Sequence, residues 1–238
     1  MEFRRSIAQA HERSDWPTRQ RKLGGAYSSA APGPVAPIVN VLAHALLAQQ
    51  AGCSLVGNLL GDFVRGRPGA HLPRVWQQGI ALHRRVDGFV DRHPASAASV
   101  ARLPADRRRW ARVALDVYYD HLLARDWARY GGPPLAQFAA GVYAALDADR
   151  ARLPAGLVRF ADFMAERDLL VGYGEPAVIA DVLARMGART RRPNPLRELF
   201  PLLRAVDAGL GADFAVLFPA TRDFASAEVA GRTLQPAA

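Results

Sequence analysis

From residue 38 onward, apolar side chains recur at helical spacing, with very little of the strict alternation that marks half-buried strands. The expectation is an all-α fold, a single globular multi-helix bundle. Gly52-Cys53-Ser54 divides a first helix over about 38–50 from a second over about 55–65, with Ser54 as its N-cap. Gly66, Pro68 and Gly69 end the second. A third helix is predicted over about 73–92, opened by Pro73 and closed at His93-Pro94, burying Val75, Trp76, Ile80, Val86, Phe89 and Val90. After a short connector over 96–103, a long helix over about 106–130 stops at Gly131-Gly132-Pro133-Pro134. Helices near 135–152, 157–171, 176–186 and 196–218 follow, separated by Pro154, by Gly172 and Gly174, and by the segment 191–195. Residues 1–37 show no sustained period and read as a disordered N-terminal tail, 38–219 as the helical domain, and 220–238 as a frayed C-terminal tail.

Composition bounds the class. Half of the 238 residues are apolar, enough to close one core of ordinary size. The most apolar stretch, 38–64, is interrupted by Asn40, His44, Gln49, Gln50, Asn58 and Asp62, so no membrane span is expected. Cys53 is the single cysteine and no apolar leader opens the chain, which makes the cytoplasm the expected compartment. The formal charge is +9, and every basic residue except Lys22 is arginine. That skew matches GC-rich codon usage, so arginine richness is discounted as a functional signal. The positive field still attracts an acidic partner, whether nucleic acid, an anionic surface or an acidic protein.

Candidate chemistry concentrates on four helices. There is no Gly-rich phosphate loop, dinucleotide fingerprint, GxSxG elbow or CxxC pair. His83 and Asp87 are four residues apart on one face of the third helix, with Arg84 and Arg85 beside them. Alone, they read more readily as a hydrogen-bonded pair with solvated arginines than as a metal facing an anionic substrate. On the long helix Asp116, Asp120 and His121 interrupt an apolar stripe, and a buried carboxylate needs either an arginine, such as Arg112 for Asp116, or a cation. His44 and Asp62 are isolated polar residues amid leucines on the first two helices. Together His44, Asp62, His83, Asp87, Asp116, Asp120 and His121 form a mixed nitrogen and oxygen set suited to a divalent metal such as Mn²⁺.

These residues fall in four ordered motifs: Asn40-Val41-Leu42-Ala43-His44, then 57–66 reading GNLLGDFVRG, then 79–87 reading GIALHRRVD, then 116–124 reading DVYYDHLLA. In that order, and with looser likeness at Arg167-Asp168-Leu169-Leu170, the chain resembles the acyl carrier protein phosphodiesterases, over about 38–219. The resemblance implies an all-helical enzyme, distantly similar to HD-type metal phosphohydrolases. Its reaction would be hydrolysis of the phosphodiester between 4′-phosphopantetheine and a serine of holo acyl carrier protein, aided by a divalent metal, Mn²⁺ by preference. It further implies Asp62 as essential, with His44, Asp62, His83, Asp87 and Asp120 as the metal shell. Arg84 and Arg85 would meet the substrate's charge, with Asp116, Asp120 or His121 moving a proton. Members of the family begin almost at the first motif, so translation from a GTG codon at Val39 is expected. Two other readings compete: an HD-like phosphohydrolase acting on a nucleotide or other small phosphoester, and a non-catalytic basic module binding nucleic-acid phosphates.

Overall fold

The computed structural model describes residues 40–190 and 192–233; the expected tail over 1–37 and the proposed start at Val39 lie outside them. Twelve α-helices and no strand occur among the described residues. They are α1 (Val41–Gln50), α2 (Leu55–Leu59), α3 (Arg74–Arg92), α4 (Pro94–Ala101), α5 (Arg108–Arg125), α6 (Trp127–Tyr130), α7 (Leu135–Ala148), α8 (Ala155–Arg167), α9 (Leu169–Gly172), α10 (Pro176–Arg189), α11 (Leu196–Ala205) and α12 (Asp207–Thr233). The all-helical expectation therefore holds. No described helix is long and apolar enough to cross a membrane.

Two helices sit at the centre, as their composition requires. α1 is apolar nearly all round, and Val41 to Ala48 are all buried. α5 is buried continuously from Val117 to Ala124. Around α1 pack α2, α3, α5 and α12, while α10 and α11 cover α5. α3 is amphipathic: Trp76, Ile80, Leu82, His83 and Val86 face inward, and Arg84 and Arg85 are exposed. Val75, expected in the buried stripe, is 56% exposed.

The close crossing of α2 over α3 depends on two glycines. A Cβ at Gly57 would lie 2.6 Å from the Trp76 backbone, and one at Gly79 would lie 2.5 Å from the Gly57 carbonyl carbon. α2 itself is short. Ser54 accepts the Gly57 N–H at 3.0 Å as predicted, but the helix tightens into a 3₁₀ turn over Leu60–Asp62 rather than running to 65.

Tertiary contacts redraw three other boundaries. The helix expected over 157–171 breaks at Asp168, which is left-handed (φ 45°) and accepts from the Tyr143 hydroxyl at 3.4 Å. The helix expected over 196–218 breaks at Val206, because Asp207 takes up Tyr118 and Arg125 and opens α12. The frayed end expected from 220 is instead helical to Thr233: Pro219 lies within α12, which continues because Phe224 stacks on Phe89 at 4.5 Å and Ala225 is buried. Ser99 of α4 and Arg102 just after it bond Asp213 at 2.9 and 2.7 Å, tying down the N-terminal half of α12.

Gly79→Ala should force α2 from α3 and cost roughly 1–3 kcal/mol in urea unfolding. At Gly141, where a Cβ meets nothing within 4 Å, the same substitution should be neutral or stabilising.

Candidate metal centre

The N-terminus of α1 starts the site. Asn40, the N-cap, is left-handed (φ 68°) and its side chain does not cap the helix. The cap comes from α5: Asp120 accepts the N–H groups of Leu42 and Ala43, each at 2.9 Å. The Asn40 amide turns instead to Asp116, one turn earlier on α5, at 3.2 Å. His44 follows on the next position of α1, fully inside.

Three side chains converge there. His44 Nε2 lies 3.0 Å from Asp87 Oδ1, and His83 Nε2 lies 3.3 Å from Asp87 Oδ2. The two imidazoles stack, with ring centroids 4.0 Å apart. One ligand atom from each of His44, His83 and Asp87 lies within 4.8 Å of the other two. Asp62 joins the edge, with Oδ1 3.4 Å from His83 Nε2. Gly61 lets it do so, since a Cβ there would lie 2.2 Å from the His83 ring. His44 Nδ1 contacts Asn58 Oδ1 at 3.2 Å, a buried amide on α2. With that oxygen accepting, Nδ1 carries the proton and the Nε2 lone pair faces the Asp87 carboxylate.

Electrostatics follow from crowding. Burial lowers the His44 pKa, and the neighbouring His83 lowers it further. Burial would lower His83 too, but hydrogen bonds to Asp62 and Asp87 carry it to about 9. Asp87 is held well below the usual carboxylate range by His44 and His83, against its own desolvation. Asp116 is pushed far up, by burial and then by the charges of Asp87, Asp91, Asp120 and Asp62. Burial lifts Asp120 to about 7 despite its two N–H partners.

The donor set fits a divalent cation on its own chemistry. A histidine lone pair and a carboxylate oxygen 3.0 Å apart repel unless a proton or a cation lies between them. A small, partly open cleft leads to the centre, lined by Asn40, His44 and Asp87 and by apolar Leu47, Val90 and Phe214, with Tyr119 and Thr221.

The family model for acyl carrier protein phosphodiesterase matches residues 39–221. The chain belongs to that family. The acyl carrier protein phosphodiesterases of Salmonella dublin and Salmonella paratyphi A are 36% and 35% identical to it over 161 residues, 67% of this chain and 83% of each relative. That of Salmonella agona is 35% identical over the same length. No solved structure matches the chain.

Within this family member, the expected site residues separate into two groups. His44, Asp62, His83 and Asp87 come together, with Asp116 close enough to feel their charge. The others have partners of their own. Asp120 caps α1, each of its oxygens accepting one backbone N–H group. His121, one residue on, points to the other side of α5, where Nδ1 meets the Tyr173 carbonyl at 2.7 Å. Arg84 donates to the carbonyls of Val64 and Gly66, and Arg85 pairs with Glu228 on α12, so both guanidinium groups brace the fold. Arg112, a candidate partner for Asp116, pairs with Asp91 at 2.8 Å. Asn58 was missed as a functional residue; its signal is a fully buried amide beside a glycine in a leucine-rich segment.

Gly61→Ala should displace the His83 ring and weaken Mn²⁺ binding about 10–100-fold, the range for losing a supporting contact, as read by calorimetry. His121 gives a pH prediction. Burial lowers its pKa below 6.5, so the unfolded chain protonates before the folded one does. Stability is thus complete above pH 6.5 and falls as pH drops below it. His121→Asn should flatten that acid limb in pH-dependent unfolding while retaining neutral-pH activity.

Proposed function

We propose that the chain is a metal-dependent phosphodiesterase that hydrolyses the bond between 4′-phosphopantetheine and a serine of holo acyl carrier protein, releasing apo carrier protein. The observation that carries the reading is the convergence of His44, His83 and Asp87, with Asp62 at its edge, in a chain of this family. His44, His83 and Asp87 would hold the metal, and a donor set of two imidazoles and a carboxylate suits Mn²⁺. A divalent cation there supplies Lewis-acid charge to a phosphoryl oxygen and lowers the pKa of water.

The remaining steps belong to the chain's own residues. Asp62, a quarter exposed beside His83, is placed to take the proton of the attacking water. Asp116, kept protonated by burial and by the charge of Asp87, suits return of a proton to the serine oxygen. Asn58 holds the His44 ring, and Asp120 holds the turn that carries it. Leu47, Val90 and Phe214 shield the centre from bulk water and offer an apolar wall to the pantetheine arm. We place the reaction in the cytoplasm. A nucleic-acid module is disfavoured, because its arginine contacts would give the convergence of two buried histidines on Asp87 no purpose.

The test is mass spectrometry of holo acyl carrier protein incubated with the full chain and Mn²⁺. Loss of the phosphopantetheine mass is expected, and it should vanish with a chelator, with Asp62→Ala, and with His44→Ala, which should also lose Mn²⁺ binding. No mass change with folded, metal-loaded protein refutes the substrate assignment and leaves small phosphoesters to be tried.

A further inference from the structure

Beside the metal centre the chain carries a cationic turn whose position is set by a residue of α3. Arg84, adjacent to His83, donates to the carbonyls of Val64 and Gly66 and so fastens the segment 63–73, which leaves directly from Asp62, along α3. Gly66 is left-handed (φ 67°) and turns the backbone between Arg65 and Arg67. Phe63 packs on Phe160 with ring centroids 6.4 Å apart and lies against Gly156, which brings the start of α8 and its exposed Arg159 alongside. Arg65, Arg67 and Arg159 are exposed, and none is ion-paired among the described residues. Arginines such as Arg85, Arg112 and Arg150 are neutralised by Glu228, Asp91 and Asp162.

The chemistry of the substrate decides what such a turn is for, given the phosphodiesterase reading on which this step rests. The bond to be cut joins phosphate to a serine on the carrier's own surface, not to the far end of the prosthetic arm. The body of the carrier must therefore touch the enzyme immediately around the centre. The cleft that reaches His44 and Asp87 is largely apolar, whereas the segment that departs from Asp62 is cationic. We infer that the segment 63–73, with Arg65 and Arg67 and with Arg159 beside them, is the docking surface for the acidic face of the carrier protein. Arg84 acts as a positioning residue: it holds the turn and touches no reacting atom.

Apo carrier protein is the probe, because it lacks the arm and cannot be consumed. Its Kd for the metal-loaded full chain is measured for wild type, for Arg65→Glu with Arg67→Glu, and for a charge-matched control, Arg189→Glu with Arg197→Glu on α10 and α11. The docking pair should weaken binding about ten-fold or more and remove most of its salt dependence, while the control changes Kd by less than about two-fold. Hydrolysis of bis(p-nitrophenyl) phosphate should be unchanged in both, and matching thermal melts show that both are folded. The inference is overturned if wild type does not bind, if the docking pair binds like wild type, or if the control weakens binding as much. Failure of wild type to release phosphopantetheine from holo carrier counts separately, against the activity.

Discussion

α1 is buried on every side, so the N–H groups of its first turn have no water to turn to, and an uncompensated buried donor costs about 1–3 kcal/mol. Asp120 answers that constraint from 78 positions along the chain, accepting Leu42 N–H with one oxygen and Ala43 N–H with the other. The consequence reaches the chemistry. Anchoring the first turn of α1 on α5 sets the depth and rotation of His44, and it leaves the Asn40 amide free to engage Asp116.

The second constraint is distance. α2 can bring Asn58 to His44, and the turn after it can bring Asp62 to His83, only because Gly57 and Gly79 let two backbones touch and Gly61 makes room for an imidazole. The result is a set of acceptors held closer than they would choose. In the chain as it stands, Asp87 answers by resting well below its ordinary pKa while His83 rises to about 9 and His44 falls. A site that strains toward positive charge in this manner is preorganised for a cation, since the cost of assembling it is met during folding rather than at binding.

α12 completes the arrangement as the fourth wall. Its N-terminal half supplies Phe214, Leu217 and Phe218 to the cleft and is pinned on α4 through Asp213, and its C-terminal half is pinned on α3 through Glu228 and Phe224. Arg85, adjacent to Arg84 in sequence, thus faces the far helix while Arg84 faces the turn after Asp62. Two neighbouring arginines brace opposite edges of one site.

Much was legible in the chain itself. The helical period, the stops at Gly131 to Pro134 and the Ser54 cap are local, and a local signal survives folding because nearby residues generate it. The motif order also picked out His44, Asp62, His83 and Asp87, since polar groups within apolar stripes must find partners wherever the fold leads. What the sequence could not decide is which partner each one finds. Asp116, Asp120 and His121 lie within one and a half turns, yet one answers an amide, one a helix terminus and one a carbonyl across the core. The period of a helix says that a residue is buried; only the packing of α1 and α10 against the two sides of α5 determines what it is buried against. The same holds for α12 past Pro219 and for Arg84 and Arg85. Their roles depend on contacts 18 to 143 residues distant, and no local propensity encodes such contacts.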